Sequence, residues 1–200
     1  MNLKIIDMNP LQKADLFSLE QYSEQRAGFR TRVLDHKKNR RVNVGPNLSL
    51  YFEDRLTVQY QVQEMLRIEK IFEAESIEEE LATYNPLIPD GRNLKCTAML
   101  EFVDEGIRRK RLAELVAIEH KVWLLVDGYY KVFSIANEDL ERSTEDKTSA
   151  VHFMRFELSE EMIAALRTGA GLTFGSDHAG YSHTTEVPGQ IRQALLGDFT

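Results

Sequence analysis

Glu69 is the residue whose type and position most invite chemistry. In residues 57–91, TVQYQVQEMLRIEKIFEAESIEEELATYNPLIPDG, two consecutive helices are expected. At about 100° per residue Glu69 falls on one helix face with Val58, Val62, Met65 and Phe72. An ionised carboxylate on an apolar stripe is costly unless it is paired or protonated. Two readings follow: a general base or metal ligand with a raised pKa, or a member of a structural ion pair. Arg155 is the expected partner, because in AVHFMRFEL it shares a strand face with Val151 and Phe153 and is itself a charge on an apolar surface. Arg26, on the stripe of the first helix, is a second. Glu64 and Arg67, on the same helix as Glu69, complete a candidate polar site between helix and sheet.

Other chemistries find less support. None of the histidines, His36, His120, His152, His178 and His183, falls in an HxxxH or ExxH pattern, so no local metal site is predicted. His178 and His183, in GSDHAGYSH, are the weak metal candidates, since a hairpin can bring both rings to its turn; polar residues there more often simply make the turn. Glu119-His120, at the start of a strand, is a similar case. Cys96 is the single cysteine, which excludes an intramolecular disulfide and a cysteine-ligated cluster built from this chain alone. It lies in an apolar strand pattern and reads as a small hydrophobe. There is no GxSxG elbow, P-loop or GxGxxG, and no cofactor is expected.

Charge is uneven along the chain. The formal net charge is −7, yet Arg26, Arg30, Arg32, Lys37, Lys38, Arg40 and Arg41 form a basic stretch interrupted only by Asp35. Such a stretch can contact phosphates, but cations at a helix end also complement the helix dipole, and no aromatic RNA-binding motif accompanies them. A solvated or charge-paired face is favoured over nucleic-acid binding. Acids gather in Glu73, Glu75, Glu78, Glu79 and Glu80, and again in Glu138, Asp139, Glu141, Glu145 and Asp146.

The elements that must position these residues alternate between helix and strand. Ser18 with Gln21 forms a capping-box pattern opening a helix over about 18–38, with Leu19, Tyr22, Phe29 and Val33 at helical spacing. A hairpin around Gly45-Pro46-Asn47 follows, then the helical pair, with Ser76 and Glu79 as a second capping box and Asn85-Pro86 as a stop. Downstream the pattern predicts a strand over 94–103, a helix over 104–119 and a hairpin turning at Asp127-Gly128. A central strand over 150–158 comes next, then a helix capped by Ser159, strands over 172–174 and 181–187, and a closing helix over 190–196. The fold class is α+β, a mostly antiparallel sheet packed by the long N-terminal helix and the central helical pair.

At 200 residues, 42% hydrophobic and 28% charged, the chain suits one folded domain, helix-rich over 1–91 and strand-rich over 92–200, with neither part independent. Only the extreme C-terminus is expected to fray. No window approaches the roughly 18 apolar residues of a membrane span, and the opening residues lack the pattern of a signal peptide, so a cytoplasmic protein is expected.

Three segments, RRVNVGPNLSLYFEDRLTVQYQVQEMLRIEKI, EELATYNPLIP and SAVHFMRFELSEE, resemble a bacterial family catalogued as domain of unknown function 3501, and the likeness spans nearly the whole chain. The family has no established activity, so the resemblance transfers no catalytic residue. It implies a setting beside rubrerythrin-like diiron proteins and iron-sulfur oxidoreductase subunits of the heterodisulfide-reductase type. Within it, Gln61, Glu64, Arg67, Glu69, Tyr84, Asn85 and Arg155 are the polar positions of interest. The leading expectation is therefore a non-catalytic accessory or adaptor of a redox system. A small-molecule-binding protein or enzyme built on a buried Glu/Arg pair comes next, then nucleic-acid binding through the basic first helix.

Overall fold

Alternation of apolar and polar side chains sets two antiparallel sheets. The computed structural model describes residues 7–138, 142–144 and 146–200. Helix α1 (Leu19–Lys37) precedes the hairpin β1 (Arg41–Val44) and β2 (Leu48–Phe52). Helices α2 (Arg55–Glu69) and α3 (Ala74–Tyr84) follow, then β3 (Asn93–Leu100), α4 (Glu105–Glu114), β4 (Val122–Val126), β5 (Val132–Phe133) and β6 (Ile135–Ala136). The chain closes with β7 (Val151–Glu157), α5 (Glu160–Arg167), β8 (Leu172–His178), β9 (Tyr181–Glu186) and α6 (Gly189–Leu195). The first sheet runs β1-β2-β3-β7-β6 and the second β5-β4-β8-β9. Because β2 pairs with β3, the helix-rich and strand-rich parts of the chain share one sheet. The protein is a single-domain α+β fold.

The inner faces of the sheets pack on one another. Leu48, Leu50, Phe52, Leu94, Cys96, Ala98, Met154 and Phe156 from the first sheet meet Val122, Leu124, Val126, Leu172 and Phe174 from the second. Phe174 sits 5.2 Å from the Phe52 ring and 5.4 Å from that of Phe156. Gly175 lies inside β8 because a Cβ there would come within 2.2 Å of the Trp123 ring. Cys96 is fully buried, and burial raises its thiol pKa, as its reading as a small hydrophobe requires. Two smaller clusters lie under the helices: Tyr22, Phe29 and Val33 of α1, and Val58, Val62 and Leu66 of α2 with Ile77 and Leu81 of α3.

A buried arginine joins the parts. Arg40, between α1 and β1, is 1% exposed. Its guanidinium donates to the carbonyls of Phe52 at 3.1 Å, Glu53 at 2.9 Å and Ala194 at 3.4 Å, and to Asp198 at 2.5 Å. Asp54 lies 3.4 Å away and also meets His36 of α1 at 2.5 Å. The other Asp54 oxygen caps α2 by accepting from the Thr57 amide. Burial alone would raise the Asp54 pKa, but the bond with His36 and the charge of Arg40 outweigh it and hold it low. Burial pushes Asp198 up to about 6 even with Arg40 beside it, and its Oδ1 accepts no hydrogen bond from the described residues.

Several expectations are corrected. The C-terminus is anchored rather than frayed: Leu195, Leu196, Asp198 and Phe199 are buried, and the Thr200 amide donates to Gly91. Gly91 has φ 97°, and a Cβ there would strike Thr200 Oγ1. The Ser76 and Glu79 capping box is not used, because α3 already starts at Ala74. Helix α4 ends at Glu114, not near 119; Ala117 takes a left-handed conformation and turns Ile118 into the inter-sheet core. At Asp127-Gly128 the Tyr129 amide closes the turn on Val126, but pairing resumes only at Val132. Of the second acidic cluster, Asp139, Glu141 and Glu145 lie outside the described residues.

Two outcomes follow for the Arg40 cluster. Arg40→Ala leaves two buried carboxylates without their shared cation and lowers urea-unfolding stability by about 3–5 kcal/mol. Asp198 has its pKa raised on folding, so its contribution is complete below its unfolded value of 3.8 and is lost as pH rises through about 6. In Asp198→Asn, the gain in stability on acidification through that window disappears from the pH dependence of the unfolding free energy.

Candidate functional site

The outer face of the five-stranded sheet carries a groove roofed by helices. Register places Tyr51, Thr97 and Phe153 in one row across β2, β3 and β7, and Ser49, Met99 and Val151 in the next. On the other side, Lys95, Arg155 and Ile135 form a third row. Glu53 extends that row past the end of β2, its amide donating to the Lys95 carbonyl at 2.9 Å. Helix α2 contributes Val58 and Gln61 to the walls, and the end of α3 and the turn after it contribute Tyr84 and Leu87. Two cavities result, of about 370 and 610 Å³, and Tyr84, Leu87 and Phe153 line both.

The ends of the groove differ in chemistry. In the larger cavity Arg155 pairs with Glu138, at 2.5 Å, and with Glu157. The guanidinium bond holds Glu138 below the usual carboxylate range, and both carboxylates raise the Arg155 pKa. Asn93 donates to Glu157 and Asp90, each at 2.8 Å. Lys95 donates to the carbonyls of Pro86 and Ile88 at 2.8 Å, and burial lowers its pKa. Arg142 stacks over the Phe153 ring at 4.5 Å. In the smaller cavity Glu53, 8% exposed, accepts hydrogen bonds from Thr57 at 2.6 Å and Thr97 at 2.8 Å.

The sequence-derived candidates do not converge as expected. Glu69 is exposed, being the last residue of α2; Lys70 then takes a left-handed conformation and reverses the chain. The buried stripe is Val58, Val62 and Leu66, rotated so that Gln63 points inward to accept from the Phe17 amide at 2.6 Å. Phe72 is correspondingly 69% exposed. Arg155 is therefore not the partner of Glu69. Glu64 is the committed carboxylate of α2: it takes a bidentate bond from Arg26 at 2.7 and 2.8 Å and another from the Tyr22 hydroxyl at 2.7 Å. The Arg26 bond brings its pKa down to about 2. Arg67 stands 3.7 Å from the same carboxylate, and Asn85 brackets the Leu11 backbone. Of the expected polar positions, Arg155, Gln61 and Tyr84 reach the groove.

The basic stretch is likewise dispersed. Arg26 is bound to Glu64, Arg40 is buried, and Arg41 donates to Asn43, Ser49 and Glu101 on the sheet. Arg32 stacks on Phe29 and Lys38 pairs with Asp35, while Arg30 stays exposed and Lys37 turns to the smaller cavity. At the β8–β9 turn, His178 meets the Val116 carbonyl at one ring nitrogen and the Gly180 amide at the other, whereas His183 packs on the Tyr181 ring. Asp177 is taken by Trp123 and Lys131. Among the described residues no three His, Cys, Asp or Glu side chains are grouped to hold a metal.

Two further clusters, around Glu119 and Glu53, are assembled only by the fold. Glu119 accepts from Ser143 and from Thr148 at 3.1 Å, and Thr148 lies 2.9 Å from His152, whose pKa burial lowers. These groups tie the chain before β7 to the turn before β4, and nothing in their spacing announces them. Glu53 did leave a signal: Ser49, Tyr51 and Glu53 alternate onto the polar face of a strand whose other face is apolar.

For α2 the outcomes differ by residue. Glu69→Ala changes unfolding stability by less than about 0.5 kcal/mol, as for an exposed site. Glu64, with its pKa depressed on folding, stabilises fully above its unfolded value of 4.5 and loses that contribution as pH falls toward about 2. Glu64→Gln lowers stability at neutral pH and flattens this acid limb, as followed by denaturant unfolding across that range.

A family model described as "Protein of unknown function (DUF3501)" matches residues 10–199. No curated protein matches the chain. A crystal structure at 1.90 Å of a protein of unknown function from Burkholderia pseudomallei K96243 is similar at 47% identity and a TM-score of 0.92, covering 96% of this chain and 100% of that one. With the match running from one end of the fold to the other, the chain belongs to the DUF3501 family of bacterial proteins.

Proposed function

We propose that this protein binds a small molecule in the groove between the α2–α3 pair and the outer face of the five-stranded sheet. The observation that carries this reading is the pair of adjoining cavities with a common wall of Tyr84, Leu87 and Phe153. An apolar middle with polar groups at its ends is the usual make-up of a ligand site. Binding is favoured over catalysis because Arg155 and Glu138 are locked as an ion pair, each shifted away from neutrality rather than toward it. A cytoplasmic setting suits the reading, since the single buried thiol asks for no oxidising compartment. Among the described residues no helix is long and apolar enough to cross a membrane.

A second reading, an accessory partner of a rubrerythrin-like or iron-sulfur protein, draws support from a different surface. At the turn between α2 and α3, Ile68 and Phe72 are 61% and 69% exposed, beside the acids Glu73, Glu75, Glu78 and Glu79. Apolar anchors within a charged rim suit a protein partner.

Amide chemical shifts recorded against a fragment library test the first reading. Saturable shifts are expected at Thr97, Phe153 and Tyr84, and Phe153→Ala should weaken the best ligand by about tenfold or more through lost apolar contact. Shifts confined to other surfaces, or no saturable ligand for the folded protein, overturn it. For the second, tagged protein should enrich a rubrerythrin-like or iron-sulfur protein from its native lysate and Phe72→Ser should lose it; capture of no redox protein removes that reading.

A further inference from the structure

From the surroundings of Glu53 we infer that the smaller cavity is the receptor for the ammonium group of an organic amine, whose apolar body extends along Phe153 and Tyr84 toward the Arg155 end. The inference rests on the groove being a ligand site. Glu53 is a buried carboxylate whose hydrogen-bonding partners are the hydroxyls of Thr57 and Thr97, one on each oxygen. Among the described residues no cationic nitrogen forms an ion pair with it. The neighbouring cations donate to other groups, although the Glu53 charge helps to raise the Arg40 pKa. Arg40 donates to the Glu53 main-chain carbonyl and to Asp198, and the Lys95 ammonium is held by the Pro86 and Ile88 carbonyls. A buried carboxylate is stabilised most by a cation that donates to it directly, and each oxygen keeps acceptor capacity beyond its threonine bond.

The walls suit the same ligand. Tyr84 adds an aromatic ring, a group that attracts an ammonium electrostatically, and Gln61 a further polar group, while Tyr51 and Phe153 already carry Arg41 and Arg142 over one face. Val58, Met99, Val151 and Leu87 supply apolar surface for a carbon skeleton. Lys37 lines the cavity as well and makes no ion pair among the described residues. Its ammonium, on a flexible stem at the end of α1, is the built-in competitor for the site.

Calorimetric titration with 2-phenylethylamine, 2-phenylethanol and phenylacetate near neutral pH tests this. These probes share a body and differ in charge. The amine should bind at least about tenfold more tightly than the alcohol, and the acid more weakly than either. Glu53→Gln should remove the preference for the amine while leaving alcohol binding in place. Lys37→Ala, a change at a solvent-accessible helix end, should tighten amine binding severalfold, and it keeps the test decisive should the Glu53 variant fail to fold. Equal binding of amine and alcohol, tighter binding of the acid, a preference that survives Glu53→Gln, or no gain from Lys37→Ala overturns the inference. If none of the probes binds while library fragments occupy the groove, the amine assignment falls and the groove reading stands; if nothing occupies it, both fall.

Discussion

The fold depends on placing one guanidinium out of water. Arg40 collects carbonyls from the end of β2 and from α6, a carboxylate from the α2 cap and another from the C-terminus. Through Asp54 the cluster also reaches His36 in the last turn of α1. Segments more than a hundred residues apart in the chain therefore meet at a single cation. A buried charge tolerates no substitute geometry, since a shift of any partner leaves an unpaired ion in low dielectric. Hydrophobic contacts hold the sheets together, but this cluster sets where α1, the start of α2 and the C-terminal turn lie against them.

That placement creates the groove. The first sheet spends its inner face on the second sheet, so its outer face is left for the helices. Helix α2 leaves the sheet at Asp54, directly after Glu53, and α3 returns to it through Tyr84 and Leu87. The helical pair thus covers the sheet at one margin and stands off from it across the middle. Side chains that alternate outward from β2, β3 and β7 become the floor, and the end of α3 becomes the wall common to both cavities.

Local signals were legible where short-range physics decides the outcome. Ser18 caps α1 with Gln21 answering it, Ser159 caps α5, and Gly45-Pro46-Asn47 turns the first hairpin, all as residue type and spacing dictate. Alternation along β7 correctly placed Val151, Phe153 and Arg155 on one face. The helix face of Glu69 was misread because a helical projection presumes that the apolar stripe continues. Lys70 in a left-handed conformation ends it, and Gln63, an inward polar residue bonded to the Phe17 backbone, rotates the buried face. A projection has no knowledge of such a distant partner.

Read alone, the sequence determined the fold class, nearly every element and the place of Cys96 in an apolar strand. Those properties follow from periodicity, capping and composition, which act over a few residues. Only the tertiary structure decided which charges pair and with whom: Arg40 with Asp54 and Asp198 in the interior, and nearer the surface Arg26 with Glu64 and Arg155 with Glu138 and Glu157. It also decided that Glu53, rather than Glu69, is the carboxylate facing the smaller cavity. The physical reason is range: an ion pair is a contact between distant segments, and its energy depends on the surrounding dielectric, which exists only once the chain has folded.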